Sequence, residues 1–142
     1  MKQESQDKKE KFEREKVKVY GPMRFIKSIK YSLDGLFYAY RYEQSLWING
    51  FAVLLSIILG EIFQIKLSEW AIIFIALGII LALELINTAI EAAVDLTTTE
   101  IHPLAKIAKD CGSAASFVMS IVSIVISLFV FGPYFLELFK ML

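Results

Sequence analysis

Four polar residues in an otherwise apolar stretch, Glu84, Asn87, Glu91 and Asp95, are spaced by three, four and four positions. At 3.6 residues per turn they fall within ~80° of one helix face, while Leu83, Leu85, Ile86 and Ile90 take the other directions. An ionised carboxylate within a membrane span costs at least ~2.5 kcal/mol on insertion scales, and two carboxylates seven positions apart repel each other as well. None of the long apolar segments contains Lys or Arg to neutralise them. The stripe therefore asks for an external cation or a protonated state, and it points to a site rather than to structure.

A second polar set flanks it. Glu43 stands at the mouth of an apolar run, and the segment 95–110, read as a loop, supplies Glu100, His102, Lys106, Lys109 and Asp110. Carboxylates with access to water suit Mg²⁺, a hard ion that takes one or two carboxylates and otherwise prefers water and phosphate oxygens. With a lysine such as Lys109 beside it, such an ion offers what ATP requires during phosphoryl transfer. The glycine-rich and HRD or DFG motifs of soluble kinases and the GxxxxGK[ST] phosphate loop are missing from the sequence. Any use of ATP must rest on a site built from membrane helices.

The elements that carry these residues follow from length and composition. Of 142 residues 56% are hydrophobic and 21% charged, too apolar for an ordinary soluble domain. Gln44–Gly60 holds 17 residues without a charge, Trp70–Leu83 holds 14 and continues around Glu84 and Glu91, and Cys111–Leu136 holds 26. Measured against a ~30 Å hydrocarbon layer, these give three spans, about 44–63, 70–94 and 111–136. Between residues 23 and 41, Ile26, Ile29, Leu33, Leu36, Phe37 and Tyr40 form one apolar stripe, which predicts an amphipathic helix, its stripe either in the membrane surface or against the bundle. Residues 1–20 carry 12 of the 30 charges and read as a disordered, solvated extension; residues 21–142 form the membrane domain. The expected fold is all-α.

Lys and Arg number 11 in residues 1–43, which predicts a cytoplasmic N-terminus and 95–110 segment, with the C-terminus outside. Zero net charge gives no footprint for nucleic acid, and the single cysteine, Cys111, offers no disulfide or CxxC site. Ser116, Ser120, Ser123 and Ser127 recur at helical spacing with Gly112 and predict a small-residue packing stripe.

The run from Ala82 to Asp95, with its pattern E-x-x-N-[ST]-A-[IV]-E-x-x-V-D, followed by His102 to Ala115 with Ala108-Lys109-Asp110, resembles the bacterial integral-membrane diacylglycerol kinase and undecaprenol kinase family. Tyr31-Ser32, Gly35-Leu36 and Glu43 fit the same pattern, so the resemblance covers about residues 23–136. It implies a homotrimer of three spans and a surface helix per subunit in the bacterial cytoplasmic (inner) membrane, with active sites shared between neighbours. It implies ATP as co-substrate, Mg²⁺ on Glu43 and Glu91, and Glu84 as the base that takes the proton from the lipid hydroxyl, with Asn87 orienting it. Arg24, Tyr31, Glu100, His102, Lys109 and Asp110 would line the nucleotide site, and Arg24 and Ser113 would also meet the lipid. As the deepest acid of the stripe, Glu84 suits a base, whereas Glu91, ~10 Å nearer water, suits a metal ligand.

The sequence departs from the family at Gln44–Asn49, where members often carry an aromatic followed by Arg at 46–47 and an acid or His near 49. Residues 102–110 look like the undecaprenol kinase branch and residues 111–115 like the diacylglycerol kinase branch, and diacylglycerol is the expected acceptor. The alternative from another class, a small ion-coupled transport protein, predicts acids through the whole membrane depth; here they cluster toward one end of one helix.

Overall fold

The computed structural model describes residues 22–97 and 102–141, all of them in helices or the short connections between them. Four helices follow one another: α1 (Pro22–Tyr42), α2 (Gln44–Phe63), α3 (Leu67–Thr97) and α4 (Pro103–Met141). The last three are long and apolar enough to cross a membrane, in agreement with the three expected spans. The extension 1–20 and Glu100 lie outside the described residues.

The chain divides into two compact units after Tyr38. Within the first, residues 22–38 are exposed throughout. In the second, α1 ends at a single non-helical residue, Glu43, whose backbone is extended (φ −105°, ψ 113°) while its N–H still donates to Ala39 O at 2.8 Å. Trp47 pins this junction: its ring N–H donates to Tyr40 O at 2.8 Å and its ring meets that of Tyr40 edge-on at 5.7 Å.

The three long helices pack through one core, with α3 making its most extensive contact against α4. Ile65, Ile73, Leu77, Val130 and Phe131 are buried together, walled by Val53, Phe63, Trp70 and Tyr134. Gly60 lies so close to Trp70 that a Cβ there would approach the indole to 2.5 Å, so any side chain at 60 must displace the ring. Beyond it Gln64 adopts the left-handed conformation (φ 51°) and ends α2 by donating its N–H to Gly60 O, a role usually given to glycine. Around this turn Phe63 stacks on Tyr134 and meets Phe135 edge-on at 4.8 Å, and Glu69 accepts hydrogen bonds from Tyr134 and from the Lys66 backbone, each at 2.7 Å. This is the aromatic end of the bundle. The acidic end lies opposite, where α2 begins.

Two elements run longer than the sequence reading. α3 has 31 residues, ~46 Å at 1.5 Å per residue, and overshoots a ~30 Å hydrocarbon layer by several turns. α4 has 39 residues and starts at Pro103, so Lys106, Lys109 and Asp110 sit on a helix rather than in a 95–110 loop. Its start is explained locally: proline suits the first helical position, and the His102 ring Nδ1 accepts the Leu104 N–H at 3.2 Å, capping one of the free amides of the first turn. Pro133 neither ends nor interrupts α4.

Candidate active site

The acidic end gathers its side chains from α3, from the α1–α2 junction and from the first turns of α2 and α4. Glu84 is buried, 8% exposed, and its Oε2 accepts the Ser45 hydroxyl at 2.8 Å from α2. One turn on, Thr88 turns its hydroxyl to Glu84 O. Asn87, equally buried, donates through Nδ2 to Glu91 Oε1 at 3.0 Å. Its Oδ1 is buried without a partner among the described residues and faces Gly112 of α4, where a Cβ would overlap it. The bare backbone of Gly112 thus admits the amide between α3 and α4.

Glu43 caps α2 by position, yet its side chain makes no capping bond and the carboxylate stays available. Burial, then the negative charges of Glu91 and Glu84, push its carboxyl above the ordinary glutamate range. A carboxylate held in partial burial near two others is an arrangement that a cation relieves. Among the described residues no three or more acidic, His or Cys side chains close round a single point. Two carboxylates with open positions left for phosphate and water are what Mg²⁺ takes, so Glu43 and Glu91 fit that ion without forming a complete protein cage.

Below this end a cavity of 470 Å³ descends between α2, α3 and α4. Its walls are mainly apolar, with Ile48, Leu77, Ile80 and Phe131 among them, and a polar strip of Asn49, Ser56, Ser120, Ser123 and Ser127 runs through it. Ser45 precedes Asn49 by one turn on α2 and Glu84 follows Ile80 by one turn on α3, so the Ser45–Glu84 bond sits at the cavity's acidic end.

A chain with such a stripe matches the family described as prokaryotic diacylglycerol kinase across residues 30–131. The chain belongs to that family. Among its relatives, the undecaprenol kinase of Bacillus subtilis is 39% identical over 110 residues, 78% of this chain and 89% of its own length. The diacylglycerol kinase of Helicobacter pylori strain J99 is 35% identical over 122 residues (86% and 92%), and that of Escherichia coli K12 is 33% identical over 105 (74% and 86%). This member of a lipid kinase family is therefore read with ATP as its co-substrate, which the kinase family implies.

The geometry of the kinase differs from the sequence reading in several places. Asn87 reaches Glu91, not Glu84; the side chain on Glu84 is that of Ser45, which no motif marked. Asp95 is not an unpaired member of the acidic stripe: Lys109 Nζ donates to its Oδ1 at 2.6 Å. Lys109 lies outside the charge-free runs, and the early start of α4 brings it beside α3. Lys106 pairs with Asp110 on the same helix face. His102 caps α4, and Ser113 is exposed. Arg24 and Tyr31 are exposed on α1 in the first unit. Of the serine stripe, Ser116 packs at 5% exposure, whereas Ser120, Ser123 and Ser127 line the cavity.

Proposed function

We propose that this kinase transfers the γ-phosphate of ATP to the free hydroxyl of diacylglycerol, giving phosphatidic acid and ADP, with Glu84 as general base. The observation that carries this reading is a buried carboxylate, hydrogen-bonded by Ser45, at the acidic end of a cavity that lies among three membrane-length helices. Such a cavity suits the hydrocarbon of a lipid alcohol, and its acidic end brings the hydroxyl to a base. Glu84 takes the hydroxyl proton as the oxygen attacks the γ-phosphorus, and the bond to the ADP oxygen breaks.

Asn87 acts on the neighbouring acid, holding Glu91 in one rotamer through its amide. Glu43 and Glu91 would hold Mg²⁺, which would neutralise charge on the ATP phosphates. Lys109, Asp110, His102, Glu100, Arg24 and Tyr31 remain candidates for the nucleotide, and Arg24 and Ser113 for the lipid, on the strength of the family pattern. In this reading the chain works as a homotrimer in the bacterial cytoplasmic membrane, its N-terminus cytoplasmic and its C-terminus outside. Undecaprenol, giving undecaprenyl phosphate, is the second acceptor to consider, favoured by the 39% identity to a relative named for it.

The test is ATP-dependent phosphorylation in lipid–detergent micelles with Mg²⁺, offering diacylglycerol and undecaprenol separately. Loss of a positioned base costs ~10²–10⁴ in rate, so Glu84→Gln should lower kcat by ~10² or more with the KM for ATP nearly unchanged. Near-normal turnover by Glu84→Gln would remove the base assignment.

A further inference from the structure

A hydroxyl on a helix commonly turns to the carbonyl one turn back, as Ser32 does to Ser28 O, Thr88 to Glu84 O and Ser120 to Ser116 O, at 2.9–3.0 Å. Ser45 does not. From the first turn of α2 it donates across to Oε2 of Glu84 on α3 at 2.8 Å, and among the described residues it is the one serine or threonine whose hydroxyl is bonded to a carboxylate. Glu84 is buried while Ser45 keeps partial exposure, so the alcohol stands on the outer side of the pair.

A serine side chain ends in a primary alcohol, the same group that a 1,2-diacylglycerol or a polyprenol offers to a kinase. A hydroxyl about to lose its proton must lie ~2.6–3.2 Å from the base that takes it, and Ser45 already meets that distance at Glu84. It needs no binding step either, because folding has fixed it there. Ser45 also follows Glu43 by two residues, so alcohol, base and the carboxylates that fit Mg²⁺ share the acidic end of the bundle.

Resting on the lipid kinase reading above, we propose that the kinase phosphorylates its own Ser45 when no lipid acceptor is in place. Ser45 Oγ attacks the γ-phosphorus of ATP, the Oγ–P bond forms as the bond to the ADP oxygen breaks, the hydroxyl proton passes to Glu84, and ADP leaves. A lipid hydroxyl at Glu84 competes with Ser45 for the base and for the phosphoryl group, so the mark is made by idle enzyme. The helix accommodates it: Ser45 is the second residue of α2, whose capping residue Glu43 makes no side-chain capping bond, and a phosphate in a first turn meets unpaired amides and the positive end of the dipole. Once made, the mark adds a charge of about −2 beside Glu43, Glu84 and Glu91, which repels the phosphates of the next ATP. Ser45 is then both a modification site and a brake on lipid transfer.

The experiment incubates the purified full chain in detergent micelles with Mg²⁺ and ATP, without diacylglycerol or undecaprenol, and reads intact mass and fragment masses. A single phosphate per chain should appear, on Ser45. Glu84→Gln should slow its appearance by ~10² or more, Ser45→Ala should abolish it, and Ser45→Thr, which keeps a hydroxyl, should recover part of it. Diacylglycerol added with the ATP should suppress the mark, and protein marked beforehand should lose lipid transfer in proportion to the fraction phosphorylated; undiminished transfer by marked protein overturns the brake. If Ser45→Ala fails to fold, the fragment masses of the wild type decide. A protein that phosphorylates a lipid but acquires no phosphate itself, acquires it at another residue, or acquires it equally fast as Glu84→Gln, overturns the assignment and leaves the lipid kinase reading intact. Phosphate on Ser45 without transfer to either lipid upholds the site and removes the lipid acceptor, and transfer to neither protein nor lipid removes both.

Discussion

Asn87 is the residue on which the acidic stripe turns. Its amide joins Glu91 on its own helix and presses Oδ1 against Gly112 of the next, so a single methyl at 112 must displace it. Misplacing a positioning group by about an ångström can cost ~10² in rate; Gly112→Ala should lower kcat by that order while the protein elutes as the wild type does, as measured by steady-state kinetics beside size-exclusion chromatography. Glu43 makes a prediction of a different kind. Burial and the charges of Glu91 and Glu84 raise its pKa, so as pH falls it takes up a proton sooner than an ordinary glutamate and competes with a bound cation. The Mg²⁺ concentration for half-maximal activity should therefore rise as pH is lowered from about 7 toward about 5. Glu43→Gln should need more Mg²⁺ throughout and show less of that acid-side rise.

The connection between α2 and α3 shows a device that no periodicity reveals. Gln64 holds a positive φ without being glycine, and the left-handed conformation costs an L-residue roughly 1–2 kcal/mol. Glycine relieves that cost but gains freedom in the unfolded chain, so Gln64→Gly should stabilise by up to about 1 kcal/mol, read as a higher midpoint of thermal or detergent-induced unfolding with kcat unchanged. At the other connection the sequence suggested a long loop. His102 and Pro103 instead start α4 almost at once, and the extra turns carry Lys109 to Asp95 and Lys106 to Asp110. Side-chain capping is a three-dimensional event at a boundary, and boundaries are where hydropathy says least.

At the scale of the whole molecule, large apolar side chains cover the outside of the spans. Phe74, Ile75, Phe117, Leu128 and Phe129 are each more than half exposed, as befits surfaces that meet lipid or further copies of the chain. Glu43, Ser45, Glu84, Asn87 and Glu91 nevertheless come together within one chain. In the homotrimer proposed above, assemblies that mix Glu43→Gln and Glu91→Gln chains should accordingly stay as inactive as either alone, tested by co-expression and assay of the doubly tagged complex; recovered activity would mean that these two acids meet across a subunit boundary. The three spans and the acidic stripe were legible in the sequence, because the cost of charge in hydrocarbon and the 3.6-residue period act on every residue regardless of its neighbours. The partners of those acids were not. Ser45 on Glu84, Asn87 on Glu91 and Lys109 on Asp95 depend on how three helices are rotated and staggered against one another, and that is decided by the close approach of Gly60 to Trp70 and of Gly112 to Asn87, contacts that exist only once the bundle has packed.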